Sequence, residues 1–436
     1  MPAKRDPASA AAATRPDLAT RVMVILAWLV TLAVLIVPLA VTPDLLDRFR
    51  VIKESITRAE GILGLFLIVV AVAFGNADRI REMLRERAVA GIVAAGVVWG
   101  GITTLTSTHR QLSLEAFATL LTSAMVFVLA WYAAPRISLL ILDVLVPATM
   151  VNAVLAALQE YGVYNPFVSN SVYRHLSATA LIGNPNIVGS YFALVAVILA
   201  AAATRIEGTR RWFYAFGATI AAAGVLVSQT RSAAIAMIAG LGLLAIGRSV
   251  KRAGLIALAL VALFGAGIAM DLRIMKRLAT LPRSISTQGL EAATSGRVTP
   301  AITALTMFRD FPVTGVGPGV FGFQYMPYHI RVRDRLPAER SGIRPTNFGE
   351  AHNDHLQLLA ETGLPGYLLF LAAVFAVLRS GRQSVDTIHG SLARGLAIPV
   401  TGALLVLCLA QFPLHVAVTR QLIVTVAGLI VGWSRR

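Results

Sequence analysis

Apolar runs of about twenty residues recur along this chain, broken by short polar or basic connections, from residue 22 almost to its end. A helix rises 1.5 Å per residue, so about 20 apolar residues cross a hydrocarbon core of about 30 Å. That rule predicts spans at roughly 22–41, 59–75, 88–106, 114–134, 138–158, 187–204, 212–228, 232–247, 253–271, 364–379, 393–416 and 420–433. Several are rich in Ala and Gly, which lets helices approach closely. The pattern predicts an all-α integral membrane protein with about twelve transmembrane helices. Nine of them fall in 22–271 and three in 364–436. Between spans 9 and 10 lies one large outer loop region, 272–363, with short helices of its own. Residues 1–21, rich in Ala, Pro and basic side chains, read as a disordered cytosolic tail. The first apolar run exceeds a signal-peptide core and lacks a clear cleavage site, so it reads as a retained span.

Composition narrows the class further. Only 14% of residues are charged, where a soluble domain carries about a quarter. The formal net charge of +17 therefore has to be sorted by side of the bilayer before any thought of nucleic acid, and no nucleic-acid partner is expected. Short basic connections alternate with others: Arg79, Arg81, Arg85 and Arg87; Arg205, Arg210 and Arg211; Arg248, Lys251 and Arg252; Arg379, Arg382 and Arg394; Arg435 and Arg436. By the positive-inside rule these face the cytosol, and an even span count puts both termini there. The opposite side receives the long connections 159–186 and 272–363. The second carries eleven Lys/Arg, from Arg273 to Arg344, which suggests an anionic ligand such as phosphate. His109, His175, His329, His352, His355 and His415 map to this outer half, and His389 to the cytosolic side. The single cysteine, Cys408, lies in an apolar run and reads as a small buried hydrophobe. No internal repeat of the transporter kind is visible, nor the buried acidic residues expected of a proton or cation path.

The densest polar stretch of the chain is Glu350–Gly366, directly before the apolar run at 367. Polar groups at such a boundary face water, a bound headgroup or one another. His352 and His355 are three apart and would share a helix face. A metal site is disfavoured, because the His-Glu-x-x-His pattern and an obvious third histidine are missing. A histidine near neutral pKa suits a general base acting on a sugar hydroxyl. Other cations map to the same side. Arg231 sits in the tight turn Ser228–Ser232. Arg297 precedes a predicted short helix, Pro300–Asp310, and the glycine-rich turn Gly315–Gly319. No strand leads into that turn, so a dinucleotide site is rejected. Arg174 lies shortly before Gly183-Asn184-Pro185-Asn186, where Asn-Pro starts a turn able to seat the next helix. Lys53 is a further outer cation with snorkelling as its alternative.

Taken together, these blocks resemble the O-antigen ligase and O-antigen polymerase superfamily. His352-Asn353, nine residues, Gly363, two residues and Gly366 match its signature. The Ser-x-x-Arg-Ser turn at Arg231, Gly296-Arg297 with the later Gly-x-Gly, and Gly183–Asn186 stand in the family's order. The resemblance implies a bacterial inner-membrane glycosyltransferase of GT-C type, working at the periplasmic face without metal or cofactor. It implies a glycan on undecaprenyl diphosphate as donor, and lipid A–core, or another glycan or a protein, as acceptor. His352 would activate the acceptor hydroxyl. Arg231, Arg297 and Arg174 would hold the diphosphate, with Asn353, Lys53, Gly363 and Gly366 in support. His355 falls on a spacer position and inherits no role. The motifs do not separate ligases from polymerases or protein oligosaccharyltransferases. A lipid-linked sugar transporter is the reading from another class.

Overall fold

The computed structural model of the protein describes residues 18–42, 47–74, 77–137, 139–167, 178–246, 294, 296–333 and 347–434. Every regular element among them is helical. Helices α1 (Leu18–Ile36), α2 (Arg50–Ala73), α3 (Ala77–Arg85), α4 (Arg87–Leu105), α5 (Arg110–Ala133) and α6 (Leu140–Glu160) come first. Then follow α7 (Pro185–Ala203), α8 (Thr209–Val227), α9 (Arg231–Ile246), α10 (Val298–Asp310) and α11 (Phe321–Arg333). The chain closes with α12 (Asp354–Arg382), α13 (Ile388–Cys408), a 3-10 turn Pro413–His415, and α14 (Ala417–Trp433).

Each predicted apolar segment coincides with a helix, except 253–271, which lies outside the described residues. Among the described residues, seven helices are long and apolar enough to cross a membrane, namely α2, α4, α5, α6, α7, α12 and α13. The twelve-span count is thus not reproduced among the described residues: the apolar part of α1, Thr20–Ile36, α9, with 16 residues, and α14, with 17, fall short of the length rule, and α8 opens with Arg210 and Arg211. The chain is a multi-pass membrane protein.

α7 is the central helix. It packs against α8, α9 and α13, and nearly all its side chains from Val188 onward are buried. Asn184 caps it: the Asn184 side-chain oxygen accepts from the Asn186 amide at 2.9 Å, and Pro185 follows as the first helical residue. Two ends of the bundle are distinct. At one, Arg79 donates to the carbonyls of Trp131 and Tyr132, Arg210 pairs with Asp143, Arg394 donates to Ser384, and the His389 ring lies tilted against that of Trp433. The basic connections named above that fall within the described residues share this end. The other end carries Lys53, Arg231, Arg297 and Glu350–Glu361.

Residues of 304–328 and 348–360 build a small apolar core of their own. Ala304 and Met307 of α10 meet Val320, Phe321 and Tyr325 of the glycine turn and α11, with Ala351 and Ala360 beneath. The predicted helix at 300–310 is α10, begun two residues earlier. Two expectations are corrected here. The run 393–416 is not one helix, because Pro413 forces Phe412 out of helical conformation (φ −129°, ψ 56°) and α13 stops at Cys408. The spans also do hold a buried acid: Glu60, 2% exposed in α2, accepts from Gln421 of α14 at 3.4 Å.

Candidate active site

α12 begins on a capped start. The Asn353 side-chain oxygen accepts from the Leu356 amide at 3.0 Å, while its amide group donates to the Leu409 carbonyl at 3.0 Å. That second bond ties the helix start to the connection after α13. His352 stands one residue before the cap, with φ +53°. A side chain in this left-handed region is disfavoured by about 1–2 kcal/mol and persists only where its surroundings over-determine it. They do so here. The His352 ring lies edge-on between Phe348, at 5.6 Å, and Phe412, at 4.9 Å. Its Nδ1 lies 3.1 Å from the Glu350 carbonyl. A carbonyl only accepts, so Nδ1 carries the proton and the lone pair resides on Nε2. Burial and then the Arg297 charge hold the His352 pKa below the usual histidine value, against the Glu350 carbonyl bond, which raises it. The ring is a neutral base at pH 7.

Arg297 sits at the start of α10, after Gly296 with φ +82°. Its pKa is lowered by burial and then by the Arg231 charge. Three distant segments thus come within electrostatic reach of one another: Arg231 bears on Arg297, and Arg297 on His352. Arg231 opens α9 after a turn whose Gln229 also has positive φ, +61°. The Gln229 amide donates to Glu160, Thr230 Oγ1 donates to the Pro185 carbonyl at 3.0 Å, and Gln411 Nε2 donates to Ser232 at 2.7 Å. Gln411 precedes Phe412, so one short connection holds both the Arg231 turn and the His352 ring.

Gly363 and Gly366 shape the scaffold. Gly363, at φ +67° and ψ −174°, breaks α12 into an upper helix and a membrane helix. The break lets the 312–319 turn dock. Leu364 donates to the Pro312 carbonyl at 2.9 Å and Val316 to that of Ala360 at 2.9 Å. Glu361 accepts from the amides of Gly319 at 2.9 Å and Phe321 at 3.3 Å. A Cβ on Gly366 would press on Thr362 and on Trp99, whose indole donates to the Thr362 carbonyl at 2.9 Å.

The remaining predicted residues fall elsewhere. Lys53 does not snorkel. It is 2% exposed and donates to the Ala40 and Leu181 carbonyls, bracing the segment before α7. His355 does not share a helix face with His352, since only His355 is on α12. Its Nε2 donates to the Leu405 carbonyl at 3.1 Å and its Nδ1 accepts from Tyr367 at 3.2 Å, so both nitrogens are engaged. Arg174 lies outside the described residues. Among the described residues, no group of three or more His, Cys, Asp or Glu side chains is placed to hold a metal ion.

From the sequence, Asp354 received only the disfavoured metal reading, His415 only a place in the outer half, and Glu361 and Phe412 no role. Asp354 is fully buried. It accepts from His415 Nδ1 at 2.7 Å and the Leu414 amide at 2.9 Å. Gln357 joins the set, accepting from the Ala351 amide at 2.8 Å and donating to Glu350 at 2.7 Å. A visible signal was the pair of polar residues and Pro413 interrupting the apolar run at 411–415.

Beside this cluster opens a cavity of about 870 Å³ between α2, α4, α5, α12, α13 and α14. Its rim is charged, with Arg50, Glu54, Arg58, Glu350 and Arg420. Its depth is apolar, lined by Val93, Phe127, Leu369, Val377 and Leu404 among others.

Residues 216–371 match the family model described as O-antigen ligase. The matched region runs from α8 to the membrane half of α12 and contains Arg231, Arg297, His352, Asn353, Gly363 and Gly366. Over that region the chain is similar to the O-antigen ligase family. No curated protein matches the chain.

Proposed function

We propose that the protein is an inner-membrane glycosyltransferase. It moves a glycan from undecaprenyl diphosphate onto an acceptor hydroxyl at the periplasmic face, with lipid A–core as the acceptor. The observation that carries this reading is the His352 geometry, with one nitrogen committed to a carbonyl, the other bearing a lone pair, and the Arg297 charge bearing on the ring. In the reaction, the acceptor oxygen attacks the anomeric carbon while its proton passes to His352 Nε2. The anomeric C–O bond breaks and its electron pair leaves on the diphosphate. Attack opposite the leaving group inverts the configuration. Arg297 and Arg231, joined by Arg174, stabilise the developing charge in bidentate fashion, which is the largest contribution in reactions of this type. No other cation is required by that scheme. The cavity supports the reading as well, since a charged rim over an apolar depth suits a lipid-anchored substrate.

A polymerase, joining two lipid-linked glycans, uses the same chemistry. Purified protein in proteoliposomes, given an undecaprenyl-diphosphate glycan with and without lipid A–core, separates the two. Mass spectrometry of a glycan–lipid A conjugate supports ligation, and a lengthened diphosphate-linked glycan supports polymerisation. Neither product would end the glycosyltransferase reading.

A further inference from the structure

We propose that His415 is a positioning residue for His352, acting as a charged clamp between α12 and the connection that follows α13. This rests on the glycosyl-transfer reading for its consequence in turnover, but not for its geometry. His415 lies in the 3-10 turn with its ring between two acids of α12. Its Nδ1 donates to Asp354 at 2.7 Å and its Nε2 lies 3.8 Å from Glu361. Asp354 is two residues from His352, and Phe412, which flanks the His352 ring, is three residues from His415. The clamp therefore joins the two pieces of backbone that hold the base. Neither could shift without the other.

The groups facing His415 come from every neighbouring element. Asp354 and Glu361 of α12 and Glu350 before it are acidic; Cys408 of α13 touches Asp354 at 3.7 Å; Arg420 of α14 shares the cavity wall and is itself paired with Glu54 of α2. Arg50 of α2 pairs with Glu350 at 3.5 Å, which leaves Asp354 and Glu361 against His415 and favours an imidazolium. The Asp354 and Glu361 contacts and the Glu350 charge raise the His415 pKa well above the usual value, overcoming the opposing effect of burial. Sequence reasoning gave His415 no function. A single histidine at the end of an apolar run has a partner only in the folded chain.

The role predicts a division of labour. His352 must be neutral to act, and His415 must be charged to hold it. Transfer then has an acid limb from His352 and an alkaline limb from His415. His415→Gln should lower kcat about a hundredfold with KM little changed, the size of loss a 1 Å misplacement brings. His415→Lys, which keeps a cation between the acids, should recover most of it.

The test needs no glycan. Diethylpyrocarbonate modifies neutral imidazoles, and peptide mass spectrometry reads His352 separately from the other histidines. Wild type, His415→Gln, His415→Ala and His415→Lys are compared at pH 7, with folding checked by thermal unfolding. The His352 labelling rate should rise about tenfold in His415→Gln, the equivalent of 1.4 kcal/mol of lost restraint, and return towards wild type in His415→Lys. If Ala and Gln variants fail to fold, the wild-type rate is followed with pH instead. Once His352 is fully neutral, a second rise at alkaline pH supports the clamp, and a flat rate overturns it. Folded His415→Gln with unchanged His352 labelling also overturns it. If labelling behaves as expected but no glycan is transferred, the clamp stands and the glycosyltransferase reading falls.

Discussion

Replacing Gly363 with alanine removes nothing and adds one methyl group, yet the geometry makes it costly. At φ +67° and ψ −174° the residue occupies a region almost reserved for glycine, where another residue costs about 1–3 kcal/mol. A Cβ built there stands 2.0 Å from the Val313 carbonyl oxygen and 3.0 Å from that of Pro312. These are backbone atoms, and ordinary contact with carbon needs about 3.5 Å. The 312–319 turn must retreat or α12 must straighten. Either breaks the Leu364–Pro312 hydrogen bond, worth about 1 kcal/mol, and strains the Glu361 bonds to Gly319 and Phe321. The sum is about 3–4 kcal/mol. Gly91→Ala in α4 is the control, because its added Cβ meets no heavy atom within 4 Å. Thermal unfolding in matched detergent should show a drop of several degrees for Gly363→Ala and little or none for Gly91→Ala. Equal melting temperatures for Gly363→Ala and wild type would refute the break as a structural requirement.

Other outcomes follow from the site. The folded His352 pKa lies below the unfolded value, so the neutral form is retained as pH falls and is lost only below the usual histidine range. The acid limb of kcat/KM should therefore lie under pH 6.5, and a limb above it contradicts a buried His352 ring beside the Arg297 charge. Arg231→Lys should lose at least about tenfold in transfer rate, because a point charge cannot supply the guanidinium fork. A lysine variant with the wild-type rate would assign Arg231 to lipid headgroups. Lys53→Met leaves two buried carbonyls without their donor and should cost about 2 kcal/mol in unfolding experiments, with diphosphate binding intact. Weakened diphosphate binding with unchanged stability would return Lys53 to the ligand set.

Much of this arrangement was readable from local pattern. The apolar runs located the helices because hydrocarbon forces every backbone group into an internal bond. The Asn184-Pro185 start of α7 and the Asn353 cap of α12 are local chemistry, visible in a few residues. What escaped was non-local. His352 was expected on the same helix face as His355, but its left-handed backbone depends on Phe348 and Phe412, the second 60 positions away. Glu60 is tolerated in α2 because Gln421 reaches it from α14. Lys53 finds carbonyls from residues 40 and 181 and so never reaches the surface. The run 393–416 averages as apolar, and only its proline betrays the turn that carries Phe412 and His415.

Proton transfer from the acceptor to the His352 lone pair, with the Arg297 charge bearing on the ring, is the step on which glycosyl transfer here depends. Its most direct test is the single-turnover rate of glycan transfer by His352→Ala in proteoliposomes, with the donor saturating and its binding measured in parallel. The variant should bind the lipid diphosphate as wild type does and transfer its glycan about a hundred- to ten-thousandfold more slowly, the range that general-base catalysis provides. Transfer at an undiminished rate would contradict the claim.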